Sequence, residues 1–108
     1  MDATRPAPDL DEGKTAELAD LFRLMGDANR LRIILACLGE AVCVGDIANK
    51  LDLSGSLVSH HLRLLRAARV LRGNRQGKHV FYTVDDDHIR CVLFDMVDHV
   101  AESVDEDP

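Results

Sequence analysis

The chain has 108 residues, 46% of them apolar, with a formal net charge of −6 and three cysteines. That length builds one small domain around one core, and no apolar run reaches the ~18–20 residues of a membrane span. Cys37, Cys43 and Cys91 contain no CxxC pair and no even set, so a disulfide framework is excluded and a reduced, cytoplasmic chain is expected.

The opening MDATRPAPDLDEGK is polar and acidic, which is not the pattern of a signal peptide. Pro6 and Pro8 resist helix, so residues 1–13 are expected to form a disordered arm. Residues 14–104 then read as one domain, and 105–108 as a disordered tail. From Lys14 to Met25, Ala16, Leu18, Ala19, Leu21, Phe22 and Leu24 recur at helical spacing, and Gly26 stops that helix. Asp27 is placed to cap a second helix carrying Leu31, Ile33, Ile34, Leu35 and Leu38, which Gly39 ends.

A short helix is predicted over Val44–Leu51, then a turn DLSG, then a helix over Gly55–Ala68 capped by Ser54. Two short helices joined by such a turn are the signature of a helix-turn-helix. In that motif the N-terminal part of the second helix meets base edges in the major groove. Ser54, Ser56, Leu57, Ser59 and His60 occupy that part here; Leu57, Val58, Leu62 and Leu65 include the expected core face, and Ser56, Ser59, His60 and Arg63 are expected to project outward towards bases or phosphates. His60 and His61 are adjacent, so they face different sides and do not make a metal pair.

After Arg69 the period changes. Val80, Tyr82 and Val84 alternate with Phe81 and Thr83, and Asn74–Gly77 supply the turn of a β-hairpin. A hairpin behind a helix-turn-helix is a wing, and Arg72, Arg75 and Lys78 on it would meet the DNA backbone. The fold expected is therefore mainly α with a small β-hairpin, a winged helix-turn-helix.

The charge distribution agrees. Between Leu53 and Val84 there is no acidic residue, while Arg63, Arg66, Arg69, Arg72, Arg75 and Lys78 give that stretch +6 and leave −12 for the remainder. Cations gathered where phosphates dock, with anions elsewhere, are what a DNA-binding face requires.

Asp85–Asp87 precede a final helix, predicted from about Asp87 to Val104 at most. Ile89, Val92, Leu93, Met96, Val97 and Val100 form its apolar arc. Along one edge run Asp86, His88, His99 and Glu102, all residue types that bind divalent metals through N or O. His88 and His99 share a face but lie about 16 Å apart along the axis, at ~1.5 Å per residue. One ion does not span that gap. An antiparallel second copy of the helix closes it, pairing His88 with His99 and Asp86 with Glu102 in nearly one register. The pattern predicts a two-fold homodimer, dimerised through its terminal helices, with two equivalent inter-subunit metal sites.

These motifs, GDANRLRIILACL, CVGDIA, SLVSHHLRLLRAARVL and RQGKHVFYTV, resemble the ArsR/SmtB family of bacterial metal-responsive repressors over roughly Ala16–Glu102. The resemblance implies an apo homodimer that binds operator double-stranded DNA and is released by metal. It also implies a last-helix ligand set of Asp, His two residues on, His eleven beyond, and His or Glu three after, which Asp86, His88, His99 and Glu102 match. Two imidazoles and two carboxylates suit Zn(II), with Co(II) or Ni(II) as alternatives. Some relatives carry a second, thiolate site; Cys43 matches its first cysteine, but Gly45 stands at the second, and the arm before Leu18 has neither Cys nor His. The alternative function is a thiol- or redox-responsive winged-helix repressor using Cys37, Cys43 or Cys91. No nucleophile–base pair or phosphate-binding glycine loop points to an enzyme.

Overall fold

The computed structural model describes residues 5–102. Expectations about residues 1–4 and 103–108, the tail included, lie outside the described residues. Five helices and three strands follow in the order α1 (Glu12–Met25), α2 (Ala28–Ala36), β1 (Val42–Cys43), α3 (Val44–Leu51), α4 (Gly55–Ala67), β2 (Leu71–Gln76), β3 (His79–Val84) and α5 (Asp87–Ala101).

Four of the five helices begin on a side-chain cap, which satisfies backbone N–H groups that have no helical partner. The Asp11 carboxylate accepts from the Lys14 N–H at 2.7 Å, so α1 starts two residues ahead of the predicted Lys14. Asp27 receives the Arg30 N–H, Ser54 the Leu57 N–H at 3.1 Å, and Asp86 the Ile89 N–H at 2.9 Å. Helix α5 ends at Ala101, short of the predicted limit, because Glu102 turns extended at φ −64° and ψ 142°.

The sheet is antiparallel with strand order β1-β3-β2. Strand β1, which sequence periodicity did not reveal, pairs Val42 with Tyr82 and Cys43 with Phe81. The wing hairpin runs from Leu71 opposite Val84 to Gln76 opposite His79. Its turn is therefore Gly77–Lys78, tighter than the predicted Asn74–Gly77, and Gly77 sits at φ +65°, a region that costs glycine nothing.

Gly73 has a different reason to be glycine. It lies opposite Tyr82, and a Cβ there would come within 2.8 Å of Val80 Cγ1 and 3.2 Å of the Tyr82 ring. Gly73→Val is expected to splay the hairpin and cost about 1–3 kcal/mol, the usual size of an overpacking defect. The urea midpoint measures this, and an unchanged midpoint would show that the ring has room to move.

The core joins α2, α3, α4 and the base of the wing. Ile33, Ile34, Ile47, Val58, Leu62, Leu65, Val70, Leu71 and Val84 are buried, with Tyr82 beside them. Each such side chain contributes about 1.5–3 kcal/mol by leaving water. Two arginines lock the helices at their ends. Arg30 Nε donates to the Leu24 carbonyl at 2.6 Å, tying α1 to α2. Arg32 Nη2 donates to the Leu51 carbonyl at 2.8 Å, tying α2 to α3.

The outer helices are different. Helix α1 has no buried residue, and Leu18 and Phe22 stand exposed. Helix α5 buries only Leu93, while Val92, Phe94, Met96, Val97 and Val100 are exposed.

Candidate functional site

The helix-turn-helix is α3 and α4. Asp52 ends α3 in the left-handed region at φ 57°, with the Leu53 N–H returning to the Ala48 carbonyl. This sharp reversal sets α4 across α3. The buried face of α4 is Val58, His61, Leu62 and Leu65, one residue in three or four. Leu57, assigned to the core from sequence, is 36% exposed; it lies a quarter-turn away from the buried face.

The opposite face presents Ser56, His60 and Arg63, all exposed, with Ser59 half-buried at its edge. Ser54 Oγ is held by its capping bond and lies 3.4 Å from Ser56 Oγ, so the two hydroxyls form one polar patch at the start of α4. Arg63 and Arg66 flank a shallow depression with Ala67.

On the wing, Arg72, Arg75 and Lys78 are exposed, but they do not converge. Strand alternation puts Arg75 on the face of Leu71 and Gly73, and Arg72 on the other. Arg75 Nη1 donates to the Gly77 carbonyl at 3.3 Å, which holds it beside Lys78 at the tip. Among the described residues, ion pairs form only between Lys14 and Glu17, Arg23 and Asp20, and Arg90 and Asp87. None draws on the six cations of the basic stretch.

His61 is the buried polar residue of α4. It is 7% exposed, and its Nδ1 has no hydrogen-bond partner. Burial, reinforced by the Arg30 guanidinium, holds its pKa below the ordinary histidine value of 6.5, with Asp27 opposing and His60 adding to the depression. The fold thus favours neutral His61, and the unfolded chain binds the proton more readily. Stability from this group is fully present above pH ~6.5 and is lost as the pH falls below it. Urea midpoints between pH 7.5 and 5.5 are expected to drop less in His61→Leu than in the wild type. Equal drops would remove His61 from the acid response.

The four residues expected to hold metal lie at the two ends of α5. Asp86 is the N-cap and spends Oδ1 on the Ile89 N–H. His88 is exposed in the first turn, His99 is exposed in the last, and Glu102 is the C-cap. Val92 and Met96 lie between the two histidines on the same side, both exposed. Among the described residues no three Asp, Glu, His or Cys side chains of one chain cluster as a metal site. Of these four residues, each end carries one imidazole and one carboxylate.

The cysteines are scattered. Cys37 is fully buried, and burial pushes its thiol up to about 12. Cys43 is half-buried in β1 and Cys91 is exposed on α5.

Residues 27–72, spanning the helix-turn-helix and the start of the wing, match the sequence family described as "Bacterial regulatory protein, arsR family". The chain is 35% identical over 91 residues to the cadmium resistance transcriptional regulatory protein CadC homolog of Staphylococcus aureus, covering 82% of this chain and 74% of that protein. The chain belongs to the ArsR family. It is accordingly a DNA-binding transcriptional regulator and not an enzyme. It is 36% identical over 87 residues to the transcriptional repressor SmtB homolog of Synechocystis sp., covering 81% of this chain and 66% of that protein. Among solved structures, that of apo-NmtR superimposes with a TM-score of 0.73 at 28% identity, covering 97% of this chain and 92% of the other. That fold match confirms the winged helix-turn-helix in this ArsR-family regulator. Among its described residues no helix is long and apolar enough to cross a membrane.

Proposed function

We propose that this chain is a metal-responsive repressor that binds operator DNA as an apo homodimer and is released when Zn(II) binds between subunits. The observation that carries the reading is α5. It buries a single side chain in its own protomer, and it displays an apolar strip bounded at each end by one imidazole and one carboxylate. Exposed apolar faces of this kind mark association surfaces. An antiparallel second copy would cover the strip and bring the Asp86–His88 end of one chain to the His99–Glu102 end of the other.

The donor set fits the ion. Two nitrogens and two oxygens make a four-coordinate set that Zn(II) accepts, and Co(II) or Ni(II) are the alternatives. Asp86 Oδ2 makes no hydrogen bond among the described residues, so the carboxylate can ligate through it and keep its cap through Oδ1. A divalent cation bound there would supply a cross-link between the two α5 helices. Names of relatives also support a metal signal, since one is a cadmium resistance regulator.

Ser54, Ser56, Ser59, His60 and Arg63 would face the major groove, with Arg72, Arg75 and Lys78 of the wing on flanking backbone. The thiol alternative loses Cys37 of its three candidates. Cys37 has a raised pKa in an apolar core, so it presents no thiolate to an oxidant.

A zinc titration of the protein bound to labelled promoter DNA tests this reading. Release near one zinc per chain supports it. DNA that stays bound throughout overturns the zinc-sensing function and leaves a regulator with another signal.

A further inference from the structure

Helix α5 is attached to its own protomer sparsely. Besides Leu93 and the half-buried Ile89, the attachment is Arg90. Its Nη1 donates to the Leu38 carbonyl at 2.7 Å and its Nη2 to the Val84 carbonyl at 3.2 Å. Its Nε lies 3.8 Å from the Asp87 carboxylate, and the side chain is 29% exposed. Leu38 follows the end of α2, and Val84 is the last residue of β3. A carbonyl just past a helix end lacks a helical partner, and a guanidinium fork is suited to satisfying it together with a second acceptor.

The position of this clamp matters. Arg90 lies one turn beyond Asp86 and two residues beyond His88, and its own N–H returns to the Asp86 carbonyl. Strand β3 is the inner strand of the wing. Helix α2 packs against the helix-turn-helix and is tied to the end of α3 by Arg32. One side chain therefore joins the first turn of α5 to both supports of the DNA-reading surface. The neighbouring Thr83 hydroxyl, 3.5 Å from the Cys37 carbonyl, closes the same corner between α2 and β3.

We propose that Arg90 is the positioning residue that transmits a displacement of the α5 first turn to α2 and the wing, and so couples the signal at α5 to DNA affinity. This rests on the metal-responsive reading for the signal, but the clamp itself is independent of which ligand moves α5. Coupling is reciprocal, so DNA binding must also be felt at α5 through Arg90.

The test uses wild type, Arg90→Met and Arg90→Lys, each checked by thermal melting. DNA affinity is measured with and without zinc, zinc affinity by chelator competition, and amide hydrogen exchange of the α5 first turn with and without DNA. Wild type is expected to show a zinc effect of about 5–150-fold on DNA affinity. Arg90→Met should cut that effect by about 2- to 30-fold, while zinc affinity and apo DNA affinity stay near wild type. Arg90→Lys, which keeps one donor, should fall between. The DNA-induced change in α5 exchange should vanish in Arg90→Met. If Arg90→Met keeps both effects, or loses apo DNA affinity and folding together with them, the coupling role is overturned. If wild type ignores zinc but its DNA-induced exchange change at α5 disappears in Arg90→Met, the zinc reading fails and the Arg90 coupling stands.

Discussion

His99→Ala is expected to lower zinc affinity by at least about 100-fold, beyond the 10–100-fold typical of residues that only orient a ligand. His99 stands exposed in the last turn of α5 with Glu102 as its capping neighbour, and it makes no core contact that its loss would vacate. The fold and the apo DNA affinity should therefore survive, and the zinc-induced release should not. Because each proposed site draws on both chains, one substitution removes an imidazole from both sites of the dimer at once. His79→Ala is the control. His79 is also an exposed histidine, but it pairs with Gln76 at the wing tip, at the end of β3 away from α5. Chelator competition separates the two variants. Equal zinc affinity in His99→Ala and wild type would remove the last-helix site, whatever the protein's response to metal.

The residues of α5 illustrate what a sequence makes visible. The spacing of Asp86, His88, His99 and Glu102 is legible because a helix is a ruler, with a fixed rise per residue. The wing is legible from the alternation of Val80, Tyr82 and Val84, and α3 begins and ends where periodicity puts it. Other features depend on contacts that no local pattern encodes. Strand β1 is two residues long, too short for any period, and exists because Tyr82 and Phe81 offer it an edge. Leu57 is apolar and helical, so it reads as core, yet only its rotation on α4 decides its exposure. His61 becomes the buried polar member of α4 because α2 packs across that face of the helix. Nothing in the local pattern marks Arg90; its two carbonyl partners lie 52 and six residues away, and only the tertiary fold brings them together.

Arg63→Ala combined with Arg75→Ala is expected to weaken DNA binding by the same factor on operator and on unrelated DNA. The reason lies in what these side chains can reach. Arg63 projects from the exposed face of α4 and Arg75 from the wing tip, and neither has a carboxylate partner among the described residues. Both are therefore available to phosphates, which carry affinity without sequence information. Each phosphate contact contributes about 0.9 to the slope of log affinity against log salt. In a two-fold dimer the double variant removes four contacts, so the slope should become shallower by about 3.6. Zinc affinity should not change, because neither residue approaches α5. Fluorescence anisotropy from 50 to 200 mM salt reads the slope directly. A loss confined to the operator, with the slope unchanged, would instead assign these arginines to base edges, where each bidentate contact discriminates by about 1–3 kcal/mol. The two outcomes separate a surface that positions the helix-turn-helix from one that reads the sequence. The position of Arg75, held beside Lys78 at the tip of a hairpin rather than on the groove-facing side of α4, argues for the first.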